Sequence, residues 1–304
     1  MKNFKVFASL VLAVATVSTL SAETRCPANV SSLAFRLVND HYIIVPVSIN
    51  HAGPYSFLLD TGAQITMVDP SLAAQLHLAT EGQAKVASVG TQASASFARL
   101  DRLEAGTHAV ANQKVLVYDL DNLQVAGLHI QGVLGEDFLE QFDMLIDNAH
   151  RLLCLDDSTA MRADVKGPHV PLLTSAQTSD GAPVPTSLIV SVRLSDGMRP
   201  VRLKLDSGAN VCFLYNSSEY MDLDLFHGAS LNGGGVNSPH RTYTALPPQN
   251  VSIGSVEVSK VPFVTLVGAR KDSRTSDFDG LLTLGLFRRI FIDHADHFAV
   301  LDPR

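Results

Sequence analysis

Two short stretches of the sequence repeat the same pattern of an acid, a hydroxyl side chain and a glycine. Leu-Asp-Thr-Gly-Ala at 59–63 returns as Leu-Asp-Ser-Gly-Ala at 205–209, 146 residues further along. Two carboxyl groups about 3 Å apart share one proton, because like charges at that distance cannot both ionise. One carboxyl can then act as general base on a water molecule and the other as general acid on a carbonyl group. Asp60 and Asp206 are therefore candidates for one catalytic pair.

The neighbours of both acids suit such a pair. Gly62 and Gly208 have no side chain, so two backbones can approach closely there. Thr61 and Ser207 carry hydroxyl groups that can hydrogen-bond to the opposing turn and hold it rigid. A single triplet of this kind would indicate only a turn. Two triplets in register are much more specific, and we expect these four residues to support the active-site turns.

The repeat extends beyond the two motifs. Asp147 maps onto Asp293 at the same separation of 146 residues. Gly-Val-Leu-Gly at 132–135 is matched with Leu-Thr-Leu-Gly at 282–285, which changes the separation to 150 residues. An internal duplication on this scale predicts two similar lobes. Asp147 and Asp293 themselves are expected to open hairpin turns.

These motifs resemble the retropepsin-like aspartic proteases, in a form with both lobes on one polypeptide. D-T-G-A at 60–63 goes with V-L-G at 133–135, and D-S-G-A at 206–209 goes with L-G at 284–285. The resemblance covers about residue 33 to the C-terminus. It implies a mainly β fold of two small closed β-barrel lobes with short helices and an active-site cleft between them. It also implies that the aspartates of the two motifs are catalytic.

The chain divides into four segments. Residues 1–22 are predicted as a signal peptide, 33–157 as the N-terminal lobe, 158–184 as a linker and 185–304 as the C-terminal lobe. Both lobes contain β-branched and aromatic runs separated by turn residues, which predicts strands. The linker is polar and contains proline and glycine.

Three short helices are expected. Asp69 is a good N-cap and Pro70 suits the first helical position, so one helix begins there. A second follows Gly135. A third is predicted in the second half, where apolar residues between Leu286 and Phe291 share one helical face.

The first 22 residues predict export. Lys2 and Lys5 precede an apolar run that ends in small residues, a pattern typical of a cleaved signal and too short for a membrane span. Cleavage removes two lysines and no acid, which takes the net charge from −7 to −9. An acidic chain without a basic cluster is a poor partner for nucleic acid. We expect a periplasmic or secreted protein without an integral membrane span in the mature chain.

Three cysteines remain after cleavage, and an odd number cannot pair completely. Cys154 and Cys212 lie in apolar stretches and are expected to be buried small hydrophobic residues. One disulfide involving Cys26 is open to the chain in an oxidising compartment. No C-x-x-C is present, and "DHADH" at 293–297 is interpreted as a turn, so no metal site is expected.

Two glycine-containing segments correspond, by the resemblance, to the hairpins, or flaps, that cover the cleft. They are residues 86–100 around Gly90 and residues 230–246 around Gly233, Gly234 and Gly235. An ordinary surface hairpin explains the same composition equally well.

The sequence thus predicts an aspartic endopeptidase that works as a single-chain pseudodimer and a monomer. Asp60 and Asp206 would activate water between the lobes, an extended polypeptide would be the substrate, and no cofactor is required. The alternative is a catalytically inactive protease-like module that binds peptides or the cell envelope. A homodimer is a third arrangement, if the two lobes of one chain do not face each other.

Ala63 and Ala209 follow the two motifs at positions where many two-lobed relatives carry Ser or Thr. A hydroxyl there can donate to the carboxylate and lower its pKa, whereas alanine cannot. We expect the pKa of the aspartate pair to be higher than it would be with those hydroxyls, and the pH optimum to be mildly acidic.

Overall fold

The computed structural model describes most of the chain: residues 26–27, 30–88, 91–121, 123, 128–173, 178–179, 182–183, 187–195, 199–215, 229–235, 238–266 and 277–304. The predicted signal peptide, residues 1–22, lies outside the described residues. In the described part strands dominate and helices are short, so the prediction of a mainly β fold is confirmed.

The described residues of the first half form eleven strands. They are β1 Ser32–Ala34, β2 Arg36–Val38, β3 Tyr42–Ile49, β4 Ala52–Leu59, β5 Met67–Val68, β6 Thr80–Ser88, β7 Thr91–Ala105, β8 His108–Val117, β9 Gly132–Leu134, β10 Asp143–Asp147 and β11 Leu152–Asp156.

The described residues of the second half add fourteen strands. They are β12 Val170–Pro171, β13 Thr178–Ser179, β14 Ala182–Pro183, β15 Ile189–Leu194, β16 Val201–Asp206, β17 Cys212–Leu214, β18 Ser230–Gly235, β19 Ser238–Ala245, β20 Gln249–Ile253, β21 Val256–Val261, β22 Phe263–Thr265, β23 Gly280–Thr283, β24 Phe287–Asp293 and β25 Phe298–Pro303.

Three short helices and one 3₁₀ turn complete the regular structure described here. They are α1 Pro70–Gln75, α2 Glu136–Leu139, α3 Met161–Asp164 and the 3₁₀ turn Leu284–Leu286. The predicted cap of α1 is confirmed, because the Asp69 carboxylate accepts a hydrogen bond from the Ser71 N–H at 2.9 Å. The helix expected after Gly135 is confirmed as α2.

The first lobe is a closed barrel. Its sheet runs in the order β2-β3-β4-β9-β5-β8-β7-β6, and an additional pairing of β3 with β7 closes the ring. Val47 lies opposite Ala105 at this closure. The aspartate motif follows β4, so the closed ring fixes the point from which the turn at Asp60 emerges.

The second lobe repeats this arrangement with shorter strands. Its sheet runs in the order β18-β19-β22-β17-β23-β16-β15-β20-β21. Pro247 and Pro248 separate β19 from β20, and Pro262 separates β21 from β22. Proline has no N–H to donate to a sheet. The two long strands β7 and β8 of the first lobe therefore correspond to two pairs of shorter strands here.

A third sheet joins the two lobes. It runs in the order β1-β11-β10-β24-β25-β12, and antiparallel β10 and β24 form its centre. Leu145 lies opposite Phe291, its counterpart in the repeat. Met144 likewise lies opposite Ile292, and Ile146 opposite Ile290. This self-complementary register places a pseudo-twofold axis between Leu145 and Phe291, as in the interface of a symmetric dimer.

The predicted helix between Leu286 and Phe291 is wrong. Phe287 to Asp293 form strand β24, and only Leu284–Leu286 make a 3₁₀ turn. The apolar run was too short to distinguish a helical face from a strand buried on both sides. Pairing with both β10 and β25 decides the outcome in favour of the strand.

The match of residues 132–135 with residues 282–285 is wrong by two positions. Leu58 lies opposite Val133 in the first lobe, and Lys204 lies opposite Leu281 in the second. Gly-Val-Leu-Gly therefore corresponds to Gly-Leu-Leu-Thr at 280–283. The counterpart of Gly135 is Thr283, and the shorter connection that follows replaces helix α2 by a 3₁₀ turn.

The cysteines resolve into one disulfide and one thiol. Cys26 is bonded to Cys154, which ties the segment before β1 to strand β11. The disulfide of Cys26 that the sequence left open is therefore present, and Cys154 is buried, as expected, as well as bonded. Cys212 is the buried free cysteine of the described chain.

The segment predicted as a linker contains regular structure. Within residues 158–184, helix α3 places Arg162 beside the junction of the two lobes, and β12 adds to the edge of the third sheet. The Arg162 guanidinium donates to Asp143 at 3.1 Å and to Asp293 at 2.7 Å. Asp143 begins β10 in the first half and Asp293 ends β24 in the second, so the segment helps to join the lobes. Across the described residues, no helix has the length and apolar character needed to cross a bilayer.

Candidate active site

The two aspartates lie on turns that face each other across the pseudo-twofold axis. Asp60 follows β4, and its N–H donates to the Leu134 carbonyl of β9 at 3.0 Å. Asp206 ends β16 and lies opposite Thr283 of β23. Each carboxyl group lies against the glycine of the opposite motif, so the two groups interact directly and each affects the pKa of the other. Because two carboxylates this close cannot both ionise, the pair shares one proton.

The hydroxyl residues of the two motifs bind each other's turns. The Thr61 N–H donates to Ser207 Oγ at 3.0 Å, and the Ser207 N–H donates to Thr61 Oγ1 at 3.1 Å. Each hydroxyl donates in turn to a carbonyl of the other lobe, Thr61 to Leu205 at 3.0 Å and Ser207 to Leu59 at 2.8 Å. All four bonds are buried and cross between the lobes, so they fix the relative position of the two turns.

Gly62 and Gly208 lie directly against the opposing carboxyl groups. A Cβ atom on Gly62 would come within 2.5 Å of the Asp206 carboxyl carbon, and one on Gly208 within 2.6 Å of the Asp60 carboxyl carbon. No side chain fits at those distances. The two glycines are therefore required for the carboxyl groups to meet, as the motif predicts.

Backbone donors distinguish the two carboxyl groups. Asp60 Oδ1 accepts from the N–H groups of Gly62 at 2.8 Å and Ala63 at 3.1 Å, and Asp206 Oδ1 accepts from the Gly208 N–H at 2.8 Å. Burial raises the pKa of Asp60, and its two N–H donors oppose that rise. Burial and then the charge of Asp60 raise the pKa of Asp206. The shared proton is thereby favoured on Asp206.

The two lobes anchor their turns differently. In the first lobe the Glu136 N–H, at the start of α2, donates to the Ala63 carbonyl at 2.9 Å. In the second lobe the Thr283 hydroxyl donates to the equivalent carbonyl of Ala209 at 2.6 Å. A side chain thus replaces a helical N–H where the second lobe has lost its helix.

A buried charged cluster adjoins the pair, and the motif analysis missed it. Lys204 donates from Nζ to the Gly62 carbonyl at 2.6 Å. Glu136 is fully buried, and its Oε2 lies 3.2 Å from His294 Nε2. The other ring nitrogen, His294 Nδ1, donates to the Phe142 carbonyl at 2.6 Å. One signal was available in the sequence: Lys204 interrupts an apolar strand where the first half has leucine.

Two tyrosines also lie within the electrostatic influence of Asp206. Burial and then the charge of Asp206 raise the pKa of Tyr42, from the first lobe, and of Tyr215, from the second. The Tyr215 ring packs edge-on against Phe213, with ring centroids 5.1 Å apart. One tyrosine from each lobe therefore interacts electrostatically with Asp206.

Both segments proposed as flaps are hairpins. Strands β6 and β7 pair from Thr80 opposite Ala98 up to Ser88 opposite Thr91, and β18 pairs with β19. The tips, residues 89–90 with Gly90 and residues 236–237, lie outside the described residues. The hairpins are thus present, and their role over the cleft stays a prediction.

Two groups of acids could attract a cation. The carboxylates of Asp69, Asp119 and Asp121 lie within 4.8 Å of one another, but Asp69 already caps helix α1. In "DHADH" the Asp293 carboxylate accepts from the Asp296 N–H at 2.7 Å, as a turn-opening residue does. Asp147 accepts in the same way from the His150 N–H at 3.0 Å. Both acids thus open turns, as predicted.

Comparison with known proteins finds a family match for part of the chain. Residues 45–138 match the family model described as aspartyl protease, a segment that runs from β3 to α2 and contains Asp60. No curated protein matches the sequence. A solved structure described as a retropepsin-like aspartic protease from Rickettsia conorii aligns with 41% of this chain and 88% of its own, at 21% identity and a TM-score of 0.31. The predicted resemblance to the retropepsin-like aspartic proteases is confirmed, and the family match lies in the first lobe.

Proposed function

We propose that this protein is an aspartic endopeptidase in which each lobe supplies one catalytic aspartate. The observation that carries the proposal is the close approach of two carboxyl groups, Asp60 and Asp206, across the two motifs. Each carboxyl packs on the glycine of the other motif, so the pair is completed within one chain. The family match supports a protease-type function for the first lobe.

The proposed chemistry follows from the protonation of the pair. Asp60, with two N–H donors, carries the negative charge and removes a proton from a water molecule. The oxygen of that water attacks the peptide carbonyl carbon, while Asp206 gives its proton to the carbonyl oxygen. The resulting diol then collapses: Asp60 gives its proton to the amine nitrogen, the C–N bond breaks, and one diol hydroxyl returns its proton to Asp206 as the new carboxyl group forms. Each aspartate then returns to its starting state.

We further propose that the substrate is an extended polypeptide and that the protein acts after export, in the periplasm or outside the cell. The Cys26–Cys154 disulfide supports an oxidising compartment. The apolar and aromatic groups around the pair favour apolar side chains in the cleft.

Peptide cleavage tests the proposal. We would incubate residues 23–304 with an unstructured peptide library from about pH 3 to about pH 8, the range in which coupled carboxyls titrate. Asp60→Asn and Asp206→Asn should each abolish cleavage, while Asp157→Asn, at an exposed acid, should retain it. Cleavage that persists in either catalytic variant would contradict the two-aspartate mechanism. A folded wild-type chain that binds peptides without cutting them would instead favour the inactive, peptide-binding alternative.

A further inference from the structure

Lys204 occupies a position in the repeat where the first lobe has an apolar residue. Leu58 and Lys204 each precede a catalytic aspartate by two residues, in the same strand register. Both are buried, with 1% of Leu58 and 4% of Lys204 exposed. A lysine is almost never this buried without a partner, because removing its charge from water is costly.

The partners of Lys204 belong to the active site. Its ammonium group donates to the Gly62 carbonyl of the opposite lobe at 2.6 Å. It also lies 5.6 Å from the centroid of the Phe278 ring, within reach of a cation–π contact. Burial lowers the pKa of Lys204, and the charges of Asp206, Asp60 and Glu136 oppose that change. Three carboxyl groups thus favour the charged form of one lysine.

The negative charge of the aspartate pair needs a positive charge nearby to offset it. The aspartates share one proton and together carry one negative charge, which is costly in a buried site. Glu136 is buried beside them and interacts with His294. The titratable groups that face Lys204 or the pair are Asp60, Asp206, Glu136, His294, Tyr42, Tyr215 and Cys212. Of the groups that act directly on the pair, Lys204 supplies the positive charge.

We propose that Lys204 is a positioning residue of the aspartate pair, which holds the Gly62 carbonyl and supplies the positive charge that keeps the pair singly ionised in a buried site. The catalytic consequence rests on the proposed function, while the effect on protonation does not. Because the same strand position in the first lobe is Leu58, only the second lobe provides this charge.

The direction of the effect follows from electrostatics. A nearby positive charge favours the ionised form of a carboxyl group and lowers its pKa. Removing the charge of Lys204 therefore raises the pKa values of the coupled aspartate pair. We expect the titration of the pair to move to higher pH by about 1 unit, the lower end of the range for an opposite charge nearby. The pH profile of kcat/KM should move in the same direction.

Three variants of Lys204 separate charge from hydrogen bonding. Lys204→Met removes both, Lys204→Gln keeps a donor without the charge, and Lys204→Arg keeps the charge. Leu58→Met is the matched control, an uncharged change at the same register position in the other lobe. The full chain, labelled with ¹³C at the aspartate carboxyl carbons, would be titrated by NMR, with Asp60→Asn and Asp206→Asn used to assign the pair.

The expected result is a shift to higher pH in Lys204→Met and Lys204→Gln, with Lys204→Arg and Leu58→Met titrating like the wild type. Coincident titration of Lys204→Gln and the wild type would overturn the proposal, since it would leave only a structural hydrogen bond. If Lys204→Met unfolds, Lys204→Gln decides alone. Because NMR reports protonation directly, a chain that cuts no peptide still tests the role of Lys204, and the two proposals fail separately.

Discussion

At the pseudo-twofold axis, the two lobes present the same groups to each other. Thr61 and Ser207 exchange the same pair of hydrogen bonds, and each aspartate packs on the glycine of the opposite motif. Around this centre the lobes differ: two residues before the aspartates Leu58 corresponds to Lys204, and at the ends of the neighbouring strands Gly135 corresponds to Thr283. The groups at the axis contact the equivalent groups of the other lobe, so a substitution in one lobe also disturbs the partner group in the other lobe. The residues around this centre have no counterpart that they must contact, and there the two copies can differ without separating the carboxyl groups.

The largest expected effect comes from breaking the shared centre. Gly62→Ala and Gly208→Ala each place a Cβ atom against the opposing carboxyl group. Because a displacement of about 1 Å at reacting groups can cost about 100-fold in rate, we expect kcat/KM to fall by at least about that factor in both variants. Peptide cleavage, with circular dichroism to verify folding, measures the effect. If one variant retained wild-type cleavage, the two turns would not be equivalent in the way that the geometry indicates.

The next effect concerns stability. Thr61→Val and Ser207→Ala each remove a buried hydroxyl that makes one bond as donor and one as acceptor across the lobes. We expect each change to lower the free energy of unfolding by about 1–3 kcal/mol, because buried N–H and C=O groups lose their partners. The double variant should lose less free energy of unfolding than the sum of the two single losses, since both hydroxyls belong to one network. Urea unfolding of the wild type, the two single variants and the double variant measures this coupling. Additive losses would mean that the two hydroxyls act independently.

The centre of the molecule was more predictable from the sequence than its surroundings. The sequence placed Asp60 and Asp206 together because the proposed chemistry demands particular residue types in a short motif, and the structure brings the two residues together. The Asp69 cap of α1 was predicted for the same local reason. The local sequence did not predict the structure correctly where pairing between distant strands decides it. Strand β24 forms between two other strands of the third sheet, although its apolar spacing also fits a helix.

Residues brought together from distant positions were also not predictable from spacing. Glu136 and His294 are 158 residues apart in sequence, and no spacing rule connects the segment after Gly135 with the turn at 293–297. Cys154 was assigned to the core from its apolar neighbours, yet it is both buried and bonded to Cys26. The mismatch of Thr283 arose because Leu-Gly recurs two residues beyond the true counterpart of Leu134-Gly135. Only the strand register distinguishes the two matches.

A smaller effect tests how the second lobe replaces the helix of the first. Thr283→Val removes the hydroxyl that donates to the Ala209 carbonyl at 2.6 Å and accepts from the Gly285 N–H at 3.2 Å. We expect a loss of about 0.5–1.5 kcal/mol in the free energy of unfolding, the usual net value of such bonds. Thr265→Val is the matched control, because the buried Thr265 hydroxyl has no hydrogen-bond partner among the described residues. It should be neutral or slightly stabilising. Equal losses in both variants would show that the Thr283 hydroxyl does not anchor the turn.

The smallest effect concerns the pH at which the pair ionises. Ala209→Ser would place a hydroxyl beside Asp206, whose pKa is raised by burial and by the charge of Asp60. A donor to the ionised form lowers the pKa, so the acid limb of the kcat/KM profile should move to lower pH. A hydrogen bond with a net value of about 0.5–1.5 kcal/mol corresponds to a shift of about 0.4–1 pH unit.

Ala63→Ser provides the same change beside Asp60, where two backbone N–H groups already donate to the carboxylate. Because that carboxylate is better supplied with donors, we expect Ala63→Ser to move the limb less than Ala209→Ser does. Ala74→Ser, at an exposed position on α1, should leave the profile in place. If the acid limb stayed unchanged in Ala209→Ser, the lack of a hydroxyl at position 209 would not be a reason for a raised pKa of the aspartate pair. Equal shifts in the two serine variants would mean that the proton is not held preferentially by the second lobe, because a pair that shares its proton evenly responds equally to a donor on either side.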